Sequence, residues 1–114
     1  MINIEIKPAA GQDSGQYRSF GHARDRNICE AVTVIANCLA ANLNNTWEVR
    51  VKGVEEDGRI SLWWDKADRK GKGLPRANLA AGFAYTGLRA LAKEYPDEVN
   101  VRWIRGGMKK GEEK

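Results

Sequence analysis

Apolar and polar residues alternate from the second position of the chain, where Ile2, Ile4 and Ile6 are separated by single polar residues and the run stops at Pro8. A period of two puts these isoleucines on one face of a strand. Residues Ala9 to Gly15 are rich in Gly and turn-forming side chains, so the chain reverses there. Tyr17, Ser19 and Gly21 continue as a second strand, with Tyr17 and Phe20 as its aromatic anchors, and this strand delivers His22 to its end. The period then changes. Ile28, Ala31, Val32, Ile35, Leu39 and Leu43 follow the i, i+3, i+4, i+7 spacing of an amphipathic helix that runs to about Asn44. Asn27 followed three residues later by Glu30 resembles a capping box, which predicts Asn27 as the N-cap.

The second half repeats the alternation. Trp47, Val49 and Val51 form one arm of a hairpin, Ile60, Leu62 and Trp64 the other, and Asp57-Gly58 is the turn signal between them. The Gly-rich basic segment Lys66 to Pro75 reads as a loop. A second helix is predicted from about Arg76 to Tyr95, carrying Leu79, Phe83, Leu88 and Leu91 and closed by Pro96. Residues Glu98 to Ile104 are a last strand. The order β-β-α-β-β-α-β, without a repeat or linker, predicts one α+β domain over residues 1–105, with two helices on a mainly antiparallel sheet. Residues 106–114 form a short polar tail without periodicity, expected to be flexible.

Composition narrows this picture. With 114 residues, 42% hydrophobic and 30% charged, the chain can build one core but not two. No apolar run approaches the roughly 20 residues of a membrane-spanning helix, and MINIEIKP lacks the basic start and continuous apolar core of a signal peptide. The protein is therefore expected to stay where it is made, with no membrane partner. The net charge of +4 comes from 19 Lys and Arg against 15 Asp and Glu, concentrated in Lys66 to Arg76 and Arg102 to Lys114. Lys66, Lys70, Lys72 and Arg76 are thus a candidate loop for binding an acidic substrate or another anion; nucleic acid is an open alternative partner. The tryptophans are candidate stacking platforms, or equally core packing.

The cysteines say more. Cys29 and Cys38 lie in the same predicted helix, where a rise of about 1.5 Å per residue separates their Cα atoms by roughly 13 Å. A disulfide needs about 7 Å or less, so they do not pair with each other, and unpaired thiols predict a reducing, cytoplasmic setting. Cys38 lies two turns deeper and is expected in the core. Cys29 lies near the helix start, seven residues after His22, the only histidine. A thiol attacks as its thiolate, which a helix N-terminus and a neighbouring imidazole both favour. First-turn amides near Cys29 and Glu30 are candidate oxyanion donors, whereas the Glu30 carboxylate opposes thiolate formation. The alternative is a small core cysteine that only packs. One His and two Cys without a C-x-x-C pair do not make a tetrahedral zinc site, and neither a phosphate-binding loop nor a dinucleotide fingerprint is present, so no metal and no cofactor is expected.

A strand ending in Gly21-His22-Ala23, then a helix opening with Ile28-Cys29, Ala31, Val32 and Thr33, then hairpin, helix and strand, resembles the ribosomal-processing cysteine proteases of Firmicutes and their phages. The resemblance in element order covers nearly the whole chain. It implies a small homodimeric α/β protein without metal or organic cofactor, Cys29 as nucleophile and His22 as general base. The implied substrate is a short N-terminal segment of a ribosomal or phage-assembly protein. The family's loop between His and Cys is longer and Gly-rich, with an Asp shortly before the Cys; here Arg26 stands at that place and Asp25 is one residue away. Glu30 stands where the family has a small residue. Asp25 and Glu30 are the remaining candidates for an orienting or oxyanion role. Two other readings stay beside this one, a nucleic-acid or ribosome-associated binding module and an inactive descendant of the protease fold that binds peptide.

Overall fold

The computed structural model describes residues 1–10, 13–46, 49–56, 59–67 and 71–104. Trp47, the Asp57-Gly58 turn, Lys70 and the polar tail lie outside the described residues. The elements follow the expected order: β1 (Ile2–Lys7), β2 (Gly15–Gly21), α1 (Arg26–Asn44), β3 (Val49–Glu56), β4 (Arg59–Lys66), α2 (Leu74–Glu94) and β5 (Val99–Trp103). Lys66 closes β4 and Leu74 opens α2, so the expected Lys66–Pro75 loop is shorter than the sequence suggested. Pro75 belongs to the first turn of α2, where its missing N–H costs no helical bond.

The five strands form one mixed sheet in the order β3-β4-β2-β1-β5. Three pairings are antiparallel, and β5 runs parallel to β1, with Ile4 opposite Val101. Both helices cover one face. Alternation places Ile2, Ile4 and Ile6 of β1, Tyr17 and Ser19 of β2, Leu62 and Trp64 of β4, Val49 and Val99 on that side, all buried. Ile28, Val32, Ala36, Leu39 and Leu43 of α1 pack onto them, with Ala77, Ala81, Ala84 and Leu88 of α2. Among the described residues no layer covers the other face of the sheet, which carries the charged alternates.

Small residues permit the closest contacts. A Cβ on Gly15 would overlap the indole of Trp64, which fills the space over β2. Trp64 is fully buried and donates from Nε1 to Asn78 Oδ1 (3.1 Å). The same Asn78 amide accepts from Ala9 N (2.9 Å) and donates to Ala9 O (2.8 Å), tying α2 to the turn after β1.

Three expectations about which face is buried are corrected. Tyr17 and Phe20 are separated by an odd interval, so a period of two sends them to opposite faces: Tyr17 is buried and Phe20 is 41% exposed. In α2 the alanine stripe meets α1 and the sheet, which turns Leu79 (60% exposed) and Phe83 (69%) to solvent. Cys38 is exposed because it lies off the Val32, Ala36, Leu39, Leu43 stripe of α1.

Candidate active site

β2 and α1 meet at a short connection, His22 to Asp25, and a cleft of about 170 Å³ opens there. Its walls combine Cys29 and Val32 of α1, Phe20 and His22 at the end of β2, Ile60 of β4 and Glu55 of β3. The helix start differs from the expected one. Asp25, not Asn27, is the N-cap: its backbone is extended (φ −86°, ψ 118°) and its side chain accepts from Asn27 N at 2.9 Å. Asn27 lies inside the first turn, so its own side chain has no cap position to fill. Glu30 does not reach back either, but pairs with Arg26 one turn earlier at 3.6 Å.

This shift moves Cys29 to the fourth helical position. Asp25 O accepts from Ile28 N (3.1 Å) and Cys29 N (3.4 Å), so the Cys29 amide is not the open oxyanion donor that an Asn27 cap would have left. The sulfur has other partners. Ala23 N donates to Cys29 Sγ at 3.3 Å, and the thiol points back at Ala23 O at 3.8 Å. An N–H donor aimed at sulfur gains strength when the sulfur carries charge. Thr33 Oγ1 donates to Cys29 O (2.9 Å), bracing the same helical turn.

His22 is exposed and lines the cleft with Cys29, and no hydrogen bond joins the two side chains. The backbone around His22 is tethered from both sides. Its carbonyl accepts from the Met1 amino group at 2.7 Å, and Arg24 N donates to Glu98 Oε2 at 2.5 Å. Gly21 precedes it at φ +98°, a conformation few side chains adopt, and a Cβ there would strike the Met1 carbonyl oxygen. His22 and Cys29 line the same cleft, but Asp25 holds an amide instead of the imidazole, and Glu30 faces solvent beside Arg26.

Several contributors were invisible to local reading. Glu98 lies just before β5 and reaches the loop only because β5 pairs with β1. Glu55, Glu56 and Arg59 line the cleft because β4 pairs with β2 and carries β3 along. Lys66, Lys72 and Arg76 do not line it; they flank the opening of α2. Trp63 is half-buried on the uncovered sheet face, and Trp103 packs against Tyr85 with the rings tilted by 59° and their centroids 5.2 Å apart. Among the described residues no group of His, Cys, Asp and Glu is arranged to hold a metal ion, and no helix is long and apolar enough to cross a membrane.

The fold is similar to that of structurally characterised proteins. The chain superposes on the ribosomal processing protease Prp from S. aureus in complex with a covalently linked product peptide, with a TM-score of 0.70 at 15% identity over 90% of this chain and 99% of that one. The same protease with a substrate peptide matches equally well, at TM-score 0.70 and 14% identity over the same shares. SMU.848 from Streptococcus mutans matches with a TM-score of 0.65 at 19% identity, covering 92% of this chain and 95% of its own. No family model matches the chain, and no curated protein matches it in sequence. The similarity is one of fold.

Proposed function

We propose that the protein is a cysteine peptidase in which Cys29 attacks a peptide carbonyl and His22 accepts the thiol proton. The observation that carries this reading is that one cleft is lined by both side chains, on a fold shared with a protease solved with a covalently linked product peptide. The sulfur would form a tetrahedral adduct that collapses to a thioester as His22 returns the proton to the leaving amine. Water, deprotonated by the same imidazole, would then release the acid. The Ala23 amide, already aimed at the sulfur, would stabilise negative charge there. The proposed substrate is a short N-terminal segment of a ribosomal or phage-assembly protein, and the two free thiols suit a reducing cytoplasm.

Incubation with N-terminal peptides of such proteins tests this directly. Cys29→Ser and His22→Ala should each remove nearly all turnover, and Cys38→Ser should retain it. Cleavage by Cys29→Ser would refute the proposal. The absence of a hydrogen bond between His22 and Cys29 favours one second reading, a peptide binder descended from the protease. Equal peptide binding by wild type and Cys29→Ser, without cleavage, would establish it. Limiting alkylation adds a sharper test than burial alone allowed: Cys38 is the more exposed thiol, so faster labelling of Cys29 would reflect chemistry and not access. A second copy of the chain is the proposed partner on the helical side, where Val34, Leu79 and Phe83 are more than half exposed. Sedimentation should show a dimer that Phe83→Glu converts to monomer.

A further inference from the structure

The uncovered face of the sheet borders the cleft, whose wall also contains Phe20 and Arg59, and is not a plain solvated surface. Alternation places Lys7, Arg18, Arg50, Lys52, Arg59 and Arg102 on it. Against these stand three carboxylates among the described residues, Glu5, Glu56 and Asp65. Glu5 serves two guanidiniums, Arg18 at 2.5 Å and Arg102 at 3.2 Å, and Asp65 pairs with Arg50 at 3.6 Å. Lys7, Lys52 and Arg59 have no ion pair among the described residues, so the face keeps a positive surplus.

Aromatic side chains are interleaved with these charges. Phe20 is directly opposite Arg59, and Trp63 lies four residues further along the same strand, opposite Gln16. At about 3.3 Å per residue the two rings are roughly 13 Å apart, with the Arg18–Ser61 pair between them. A hollow of about 290 Å³ is walled by Phe20, Arg18, Arg59 and Ser61, so an exposed ring is flanked by two guanidiniums and a hydroxyl. A flat positive surface with rings in line with the strands provides stacking for bases and counter-charge for phosphates at once, a combination an acidic peptide would not use.

We propose that this face binds single-stranded nucleic acid, with a base stacked on Phe20 in the Arg18–Arg59 hollow, a second base near Trp63, and phosphates neutralised by Arg59 and Lys52. The site adjoins the Cys29 cleft, sharing Phe20 and Arg59 with its wall, but its test does not depend on the Cys29 chemistry. It also differs in place from the basic segment that opens α2.

Fluorescence anisotropy with labelled oligouridylate, oligothymidylate and a duplex of equal length tests the proposal, using the full chain. Binding to the single strands should weaken linearly on a log–log salt plot, with a slope of about −0.7 for each phosphate neutralised. Arg59→Gln and Lys52→Gln should each make that slope shallower by roughly one contact. Phe20→Ala should weaken binding about 5- to 150-fold, and Phe20→Trp should restore it. Arg59 and Lys52 are exposed at the surface, so their variants keep the test valid even if Phe20→Ala folds poorly. Preference for uridylate would assign RNA, and equal affinity for both strands a stacking site blind to the sugar; either supports the face. Absence of binding at low salt, equal affinity for the duplex, or loss of binding in Lys66→Gln and Arg76→Gln with Arg59→Gln unaffected would overturn it.

Discussion

Glu98 should control the loop that carries His22 and Ala23 although it is remote in sequence, and removing its carboxylate separates a backbone tether from an ion pair. Two contacts join Glu98 to Arg24. The first is the Arg24 amide donating to Oε2 at 2.5 Å, a charge-assisted bond from a carboxylate whose side chain is only 18% exposed. The second is the Arg24 guanidinium at 3.9 Å, on a side chain that is 97% exposed. Bonds to charged acceptors contribute about 1.5–3 kcal/mol, and the lower end applies on this exposed loop. The guanidinium pair is screened by water and contributes nearly nothing. Glu98→Ala should therefore cost about 1.5 kcal/mol, Glu98→Gln about half of that because a neutral oxygen still accepts, and Arg24→Ala less than about 0.5 kcal/mol because its backbone N–H remains. For a chain of this size the alanine variant should melt roughly 6 °C lower. Circular dichroism melting gives the ranking, and amide exchange at Ala23 and Arg24 shows whether the loop has opened. Equal losses for Arg24→Ala and Glu98→Ala, or unchanged exchange at Arg24 in Glu98→Ala, would refute the assignment of the stabilisation to the backbone tether.

Burial pushes the Tyr17 phenol up to about 12, with the nearby Ser19 side chain offsetting only part of the shift, and among the described residues no partner meets the hydroxyl at good hydrogen-bonding geometry. The unfolded chain ionises first, near pH 10, so stability is intact below that pH and should fall by roughly 2–3 kcal/mol as pH rises towards 12. Tyr17→Phe should remove this fall in urea titrations and leave stability at neutral pH equal or higher; a Tyr17→Phe curve parallel to wild type would exclude the buried phenol as its cause. Asn78→Ala strands the Trp64 indole N–H and both Ala9 backbone groups, a loss of roughly 2–4 kcal/mol in equilibrium unfolding. A change below about 1 kcal/mol would show that water replaces the amide. Gly21→Ala combines a positive φ with a collision at the Met1 carbonyl and should cost about 1–3 kcal/mol in melting experiments. An unchanged melting temperature would mean that the N-terminal residue moves aside freely.

The element order was legible because each strand and helix announces itself by its own period. Ile2, Ile4 and Ile6 bury one face of β1, and Leu62 and Trp64 one face of β4, as alternation requires. Apolar identity without register does not fix the face. Phe20 and Tyr17 are both aromatic, yet three residues along a strand reverse the face. Leu79 and Phe83 look like core residues, but the close packing of α2 on α1 and the sheet selects Ala77, Ala81 and Ala84. Small residues let the helix approach, and the large ones are left outside. The parallel pairing of β5 with β1 had no local signal, since a strand's partner depends on how the α2 crossover returns to the sheet.

The active-site region illustrates the same division at finer scale. His22 and Cys29 are neighbours because a strand end and a helix start joined by a few residues have nowhere else to go, and sequence spacing suffices to place them. Whether they act together depends on groups that spacing cannot supply. A cap at Asp25 instead of Asn27 moves Cys29 from the open first turn to a position whose amide is already directed at a carbonyl, and it withdraws the Asp25 carboxylate from the imidazole. In exchange the connection is short enough for Ala23 to turn its N–H onto the sulfur, a contact that a longer, more mobile loop would not hold in place. The short connection has two opposing effects among the described residues: no carboxylate hydrogen-bonds the His22 imidazole, and the Cys29 sulfur has a backbone donor of its own. The Cys29 sulfur, more than the His22 imidazole, is held by hydrogen bonds, so loss of the Glu98 tether should disturb the sulfur through Ala23 before it disturbs His22.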